Sequence, residues 1–388
     1  MRILVGLPEI GSRGGSVACE PPFVKELRRL VPDVEEQLYT YAESQVGITT
    51  RVLRVVRTVR HFRRRLRTGN FDVVHLNTSF DTKALLRDCF TVPFLRSRGA
   101  KVFLKFHGSD GSLLETKDPL LALMRRWLFS RADGIGVLSL EERANFVRAG
   151  FSEEKIFVVS NVVDGNKLVR DPNFAGRISL PQGVPLLLFS GRFIPEKGVC
   201  DVIHACHVLR ERGREFMLVC LGDGPARREA ESEVTRLNLQ NYVRFVGHIS
   251  EEEANVFYAN GSALVFPTYH YEGFPMTIFN AAAAGLPIIT TRIRAAADYL
   301  QEPENCLWVA PRRPHILADK IIDLLENAEL QRTMSDNNKI LAARFSPTTV
   351  TIEYLKVYEQ LLNRRNSSTP DQAANNEGML AGEPLEVT

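Results

Sequence analysis

At 388 residues, with 44% hydrophobic residues and a mean hydropathy of −0.11, the chain has length enough for two domains and the balance of an ordinary globular protein. It holds no run of about 18 apolar residues, which argues against a membrane-spanning helix. Cys19, Cys89, Cys200, Cys206, Cys220 and Cys306 lack Cys-x-x-Cys spacing, which argues against a metal knuckle or a disulfide framework. The net charge of +3 is unevenly divided: up to Pro172 there are 28 Lys and Arg against 20 Asp and Glu, and beyond it 21 against 26, so the first half is expected to face something anionic.

The opening MRILVGLPEIG has too short an apolar part for a signal peptide and reads as a first strand, Ile3–Leu7. A loop, Gly11 to Ser16, follows and contains Gly14-Gly15. Asp33-Val34-Glu35 is the nearest approach to a paired-carboxylate metal motif, but it precedes a strand rather than ending one. Residues 51–67, RVLRVVRTVRHFRRRLR, hold eight arginines and no acid; Val52, Val56, Val59, Phe62 or Arg63, and Leu66 are expected on one helical stripe packed on a sheet. The basic remainder offers a surface for anionic lipid or a lipid-diphosphate acceptor. Further strands are expected at Val73–Leu76, Val102–Phe106, Gly134–Leu138 and Ile156–Val159. Asp164 to Pro185, rich in Gly and Pro, reads as an interdomain linker. A second strand series follows: Leu186–Ser190, Met217–Leu221, Val243–Val246, Ala263–Phe266 and Ile288–Thr290. Residues 313–343 are helical by pattern, and Phe345-Ser346-Pro347 opens a last amphipathic helix, about Thr348 to Leu362. The remaining 364–388 is polar and reads as a disordered tail. Strands alternating with helices imply parallel α/β sheets, here two Rossmann-like domains facing across a cleft.

Ligands in such sheets bind where strand ends meet helix starts, and four segments there carry chemistry. In HYEGFPMTIFNAAAAGL, residues 270–286, Glu272 precedes an Ala-rich helix whose free N–H groups favour an anion. A carboxylate there can hold sugar hydroxyls while the backbone holds a phosphate. After Leu186–Ser190, Arg192 and Lys197 in SGRFIPEKG can clamp a diphosphate through charge-assisted hydrogen bonds. His107 in His107-Gly108-Ser109-Asp110 ends a strand of the first half, a sound place for a working histidine. Gly222-Asp223-Gly224-Pro225 and Val246-Gly247-His248 end two more strands of the second half.

Together these segments resemble the family 4 glycosyltransferases over roughly residues 1–363. The E-G-F-P segment with its Ala-rich helix and G-L-P-I-I is similar to that family's donor-site motif, and G-R-x-x-x-x-K-G to its phosphate loop. The resemblance implies the GT-B fold: an acceptor domain over 1–170, a nucleotide-sugar domain over 171–345, and a helix over 346–363 crossing back to the first domain. It implies retaining, metal-independent transfer from a nucleoside-diphosphate sugar to a glycan or lipid-linked hydroxyl, with no cofactor. His107 and Glu272 would be catalytic. Gly14, Gly15, Arg192, Lys197, Gly222, Gly247, His248, Gly273, Phe274, Met276, Thr277 and Asn280 would bind the donor. Asn161, in an N-x-V-D segment, matches the interdomain hinge. The expected location is the cytoplasm, with peripheral contact at the inner face of the plasma membrane through residues 51–67.

Two departures from the family pattern stand out. Asn280 occupies the place of a second glutamate, and Arg294-Ala295-Ala296-Ala297 replaces a Gly-rich turn. They leave open a catalytically silent nucleotide-binding partner and a GT-B nucleotide-sugar epimerase. A dehydrogenase is disfavoured, because G-x-x-G-G is not the dinucleotide fingerprint. Nucleic acid is not an expected partner, since no accompanying motif is present.

Overall fold

A computed structural model describes residues 1–9, 15–40, 47–96, 98–109, 111–165, 168 and 170–364. Of the expected tail at 364–388, Arg364 ends the last helix and residues 365–388 lie outside the described residues, as does the loop glycine Gly14. The apolar runs of the first half become parallel strands β1 (Ile3–Pro8), β2 (Val34–Thr40), β3 (Val73–Phe80), β4 (Lys101–Ser109), β5 (Gly134–Val137) and β6 (Ile156–Val158). Those of the second half become β7 (Leu186–Ser190), β8 (Met217–Leu221), β9 (Val243–Gly247), β10 (Ala263–Phe266), β11 (Ile288–Thr290) and β12 (Cys306–Trp308). Two strands fall outside the expected series. VEEQLYT of β2 is largely polar because it lies at a half-exposed sheet edge, and β12 is a three-residue edge strand.

The sheets run β2-β1-β3-β4-β5-β6 and β12-β11-β10-β7-β8-β9, all pairs parallel. Each order reverses once, between β1 and β3 in the first sheet and between β7 and β10 in the second. Loops leaving adjacent strands there diverge to opposite faces and open a crevice. On one face of the first sheet, Phe62, Leu66, Leu85, Val92, Leu128 and Phe129 of helices Ile48–Thr68, Thr82–Arg96 and Pro119–Arg131 pack over Leu4, Val74, Val102 and Leu104. Helix Gly15–Leu30 covers the other face together with the last helix, Pro347–Asn363. That last helix crosses back, as the resemblance implies. Its Tyr354 ring lies 4.8 Å from Phe23, its Tyr358 hydroxyl lies 2.5 Å from His75 Nδ1, and Tyr354 donates to the Ser160 carbonyl at 3.3 Å.

One expectation needs correction. The buried stripe of helix Ile48–Thr68 is Thr58, Phe62 and Leu66, while Val56 is 41% exposed. With arginines around the whole helix, the valines alone did not locate the inner face. Within the expected linker, Phe174–Arg177 forms one helical turn, and the Phe174 ring is buried edge-on against Phe257 at 5.1 Å.

Candidate active site

The second sheet's order reverses at β7 and β10, and the loops leaving these two strands are bonded together. Tyr269 N donates to the Glu196 carbonyl at 2.8 Å, and Thr277 Oγ1 to the Ser190 carbonyl at 3.2 Å. This ties the two expected motifs into one unit. Lys197, in the one-turn helix Pro195–Lys197, is buried and forms an ion pair with Glu272. Arg192 is exposed at the mouth. Helix Met276–Ala283 starts beside them after Pro275, and no side chain caps it. Its first N–H groups therefore keep their attraction for an anion. Met276 is buried there, Thr277 and Asn280 are half-buried, and Asn280 sits one turn further along the helix.

Burial, and next the charge of Arg192, push the Lys197 ammonium down to about 7. A bound diphosphate would raise it again. Nucleoside-diphosphate binding is therefore expected to weaken as pH rises through about 7 and to take up a proton above it. Calorimetry in two buffers of different ionisation enthalpy measures that uptake. Equal binding heats in both buffers would mean that Lys197 does not titrate against the ligand.

The other glycine motifs have structural reasons. Gly222 has φ +129°, a side chain there would overlap the Gly191 carbonyl, and its N–H donates to the Gly247 carbonyl at 2.8 Å. The two turns thus brace each other and the phosphate loop, and His248 beyond them is exposed. The Phe274 ring is buried and stacked on Phe279 at 3.8 Å, with Phe345 edge-on at 5.2 Å. The ring anchors the loop in an apolar pocket behind it, which leaves the Phe274 backbone for a donor contact.

Across the crevice, β4 delivers His107. Gly108 turns the face that would carry a side chain towards Gly273 N and the Tyr271 carbonyl, 3.4 and 3.6 Å from that position. The His107 loop therefore rests on the Glu272 loop. Behind His107 lies a buried network absent from the sequence reading. Glu20 accepts from Lys105 Nζ at 2.7 Å and from Asn77 Nδ2 at 2.9 Å. Asn77 Nδ2 also donates to the Gly6 carbonyl, so its Oδ1 is left as acceptor for His107 Nε2 at 2.9 Å. That assigns the proton to Nε2 and leaves Nδ1 a lone pair, buried without a protein partner. Burial, then Lys105 and His75, hold His107 well below the usual histidine range. It is a neutral acceptor suited to a sugar hydroxyl. The signal available in the sequence was Lys105 itself, a charge inside the apolar run VFLKF, which can only be buried with a partner.

Cys19, Glu20 and His107 also present ligand atoms within 4.8 Å of one another. The set fits a metal poorly. Lys105 already brings a cation to the same Glu20 oxygen, and burial pushes the Cys19 thiol far up. Gly15 opens helix Gly15–Leu30, and Asn161 is buried near the junction of the lobes.

A second missed pair holds the lobes together. Arg294 Nη1 donates to Glu142 Oε1 at 2.9 Å, with both side chains buried, although they lie 152 positions apart. Glu142 Oε2 accepts from Leu138 N at 3.0 Å. A side chain on Gly273 would come within 2.9 Å of that oxygen and of Leu138 Cβ, so only glycine lets the Glu272 loop lie this close. Leu140 N donates to Asp298 at 2.8 Å.

The family model described as Glycosyl transferases group 1 matches residues 172–340, and that described as Glycosyltransferase Family 4 matches 24–167. An uncharacterized glycosyltransferase of Methanocaldococcus jannaschii is 27% identical over 311 residues, 76% of this chain and 77% of its own. The 2-deoxystreptamine N-acetyl-D-glucosaminyltransferase of Niallia circulans is 24% identical over 308 residues, 75% and 76%. Among solved structures, sucrose-phosphate synthase from Thermosynechococcus elongatus superposes with a TM-score of 0.76 at 19% identity, covering 94% of this chain and 100% of that one. Anabaena HepE, solved with UDP and glucose, superposes at 0.73 and 18% identity, covering 92% and 99%.

Proposed function

The chain belongs to the family 4, group 1 glycosyltransferases, and on that premise we propose that it moves a sugar, with retention and without a metal, from a nucleoside-diphosphate sugar to a hydroxyl of a glycan or lipid-linked acceptor. The observation that carries this reading is the meeting, at one topological switch point, of Lys197, Glu272 and an uncapped helix start with His107 opposite. On donor binding the diphosphate takes Lys197, Arg192 and the N–H groups of Met276 and Thr277. Glu272, released from Lys197, accepts from sugar hydroxyls. His107 Nδ1 accepts from another.

Transfer then follows a front-face course. The bond from the anomeric carbon to the phosphate oxygen breaks, and the acceptor oxygen bonds that carbon on the same face. The acceptor proton passes to the departing phosphate oxygen. Lys197 and Arg192 stabilise the charge that develops on the diphosphate, where preorganised cations count most. They supply the positive charge that a divalent ion would otherwise bring.

The test is transfer from UDP-, GDP- and ADP-sugars to candidate acceptors in EDTA, with the product's anomeric configuration read by NMR. Activity is expected to survive EDTA and the configuration to be kept. Loss in EDTA restored by Mg²⁺ or Mn²⁺, or an inverted product, would contradict the proposed mechanism.

A further inference from the structure

Helices Ile48–Thr68, Thr82–Arg96 and Pro119–Arg131 form one outer wall of the first lobe, on the face of the sheet opposite the last helix. They are knitted side by side. The Arg63 guanidinium lies 5.2 Å over the Phe94 ring, Cys89 Sγ donates to the Met124 carbonyl at 3.5 Å, and Arg96 Nη1 reaches the Ser130 and Arg131 carbonyls at 3.3 Å.

This wall carries seven of the fourteen exposed large hydrophobic side chains among the described residues: Leu53, Val56, Leu86, Phe90, Leu120, Leu123 and Trp127. Single exposed apolar residues need no explanation, but a concentration of them on one face does. The wall is also cationic. Within the three helices the only acid is Asp88, which is buried and bonded to Thr78, Tyr39 and Arg87.

The exposed apolar residues concentrate towards the helix starts, and most of the arginines come later. In a parallel sheet each such helix starts at the strand ends that carry the site. All seven apolar residues fall within the first nine positions of their helices, beside the crevice. Arg60, Arg63, Arg64 and Arg67, which surround a depression of about 440 Å³, and Arg96 and Arg131 come later. Arg57 follows the apolar stretch directly, and Arg54, Lys83 and Arg126 lie among the apolar positions.

We propose that this wall seats on an anionic bilayer, its apolar end entering the interface beside the crevice and its arginines lying along the headgroups. Apolar side chains backed by cations on one face are the physical requirement for interfacial binding, and the absence of solvent-facing acid on the helices provides the charge complementarity. Joined to the transfer reading above, on which this clause rests, the geometry selects an acceptor whose apolar part stays in the bilayer while its hydroxyl enters the crevice.

The test is sedimentation with vesicles of equimolar phosphatidylcholine and phosphatidylglycerol, and with phosphatidylcholine alone. Binding is expected to the first, and to weaken with salt. It should fall about tenfold or more both in Arg60→Glu/Arg63→Glu/Arg64→Glu/Arg67→Glu and in Leu86→Ser/Phe90→Ser/Leu123→Ser/Trp127→Ser. All eight sites are solvent-facing or remote from the donor, so nucleotide binding should be unchanged in both variants. No binding by the unaltered protein, or binding retained in both variants, overturns the proposal. So does a concentration-dependent dimer abolished by the serine variant, which would make the wall a self-interface. Vesicle binding without any nucleotide binding would instead overturn the transfer reading and leave the bilayer face standing.

Discussion

Lys197→Ala is expected to lower kcat/KM about a hundredfold or more, roughly 3 kcal/mol of lost stabilisation at a developing anion. The lysine is buried at the switch point, its ammonium paired with Glu272 and 5.3 Å over the Phe266 ring. Without it the departing diphosphate loses its one enclosed cation, and Glu272 loses the partner that holds it in place. Glu272 is half-buried and can rehydrate, so the fold should survive and thermal melting should remain cooperative. Arg192→Ala serves as the exposed counterpart. It should cost less in stability and, by the same charge argument, still a large share of turnover. Wild-type turnover by both variants at subsaturating donor would remove the phosphate clamp from the mechanism.

Arg294→Met is expected to destabilise the protein by about 3 kcal/mol, because it strands the buried Glu142 carboxylate. Arg294 sits at φ +38°, a left-handed conformation that costs a side chain energy and that glycine accepts freely. A Gly-rich turn at this point, as the resembling family carries, fits that backbone. Here the strain is offset by an ion pair that ties the second lobe to the Leu138–Glu142 corner of the first. Because Gly273 packs on the same corner, the variant should also raise KM for the donor. Glu142→Gln combined with Arg294→Met should recover part of the stability, since no uncompensated charge remains. Urea unfolding of the two single variants and the double variant measures the coupling. Additive losses would show that the two side chains do not depend on each other.

Much of the fold was legible because strands buried on both faces must be apolar throughout, and such runs are visible without periodicity. The phosphate loop and the Glu272 loop were legible for a related reason: charges and glycines placed directly after such runs have few other uses. Pairs distant in sequence were not legible. Nothing in Glu142 announces Arg294, and nothing in Glu20 announces Lys105 or Asn77. The burial of the Phe274 ring was not legible, because the apolar pocket behind the loop is built from Phe279, Tyr299 and Phe345, distant in sequence or on the following helix. The inner stripe of helix Ile48–Thr68 was misplaced because Thr58, a polar residue, lies on it.

The return of the last helix has a consequence for the order in which this protein can mature. The ribosome completes β6 roughly 190 residues before Tyr354 and Tyr358 can leave it, an interval of about ten to forty seconds at ordinary elongation rates. During that time the first lobe can assemble its sheet but not complete the cover of the face that helix Gly15–Leu30 shares with the last helix. Phe23, His75 and Phe103, which pack against those tyrosines in the finished molecule, remain open to chaperones and to neighbouring chains. The amino-terminal lobe is synthesised first and finished last. A stop codon shortly before Pro347 would therefore harm the half of the protein that had been made longest.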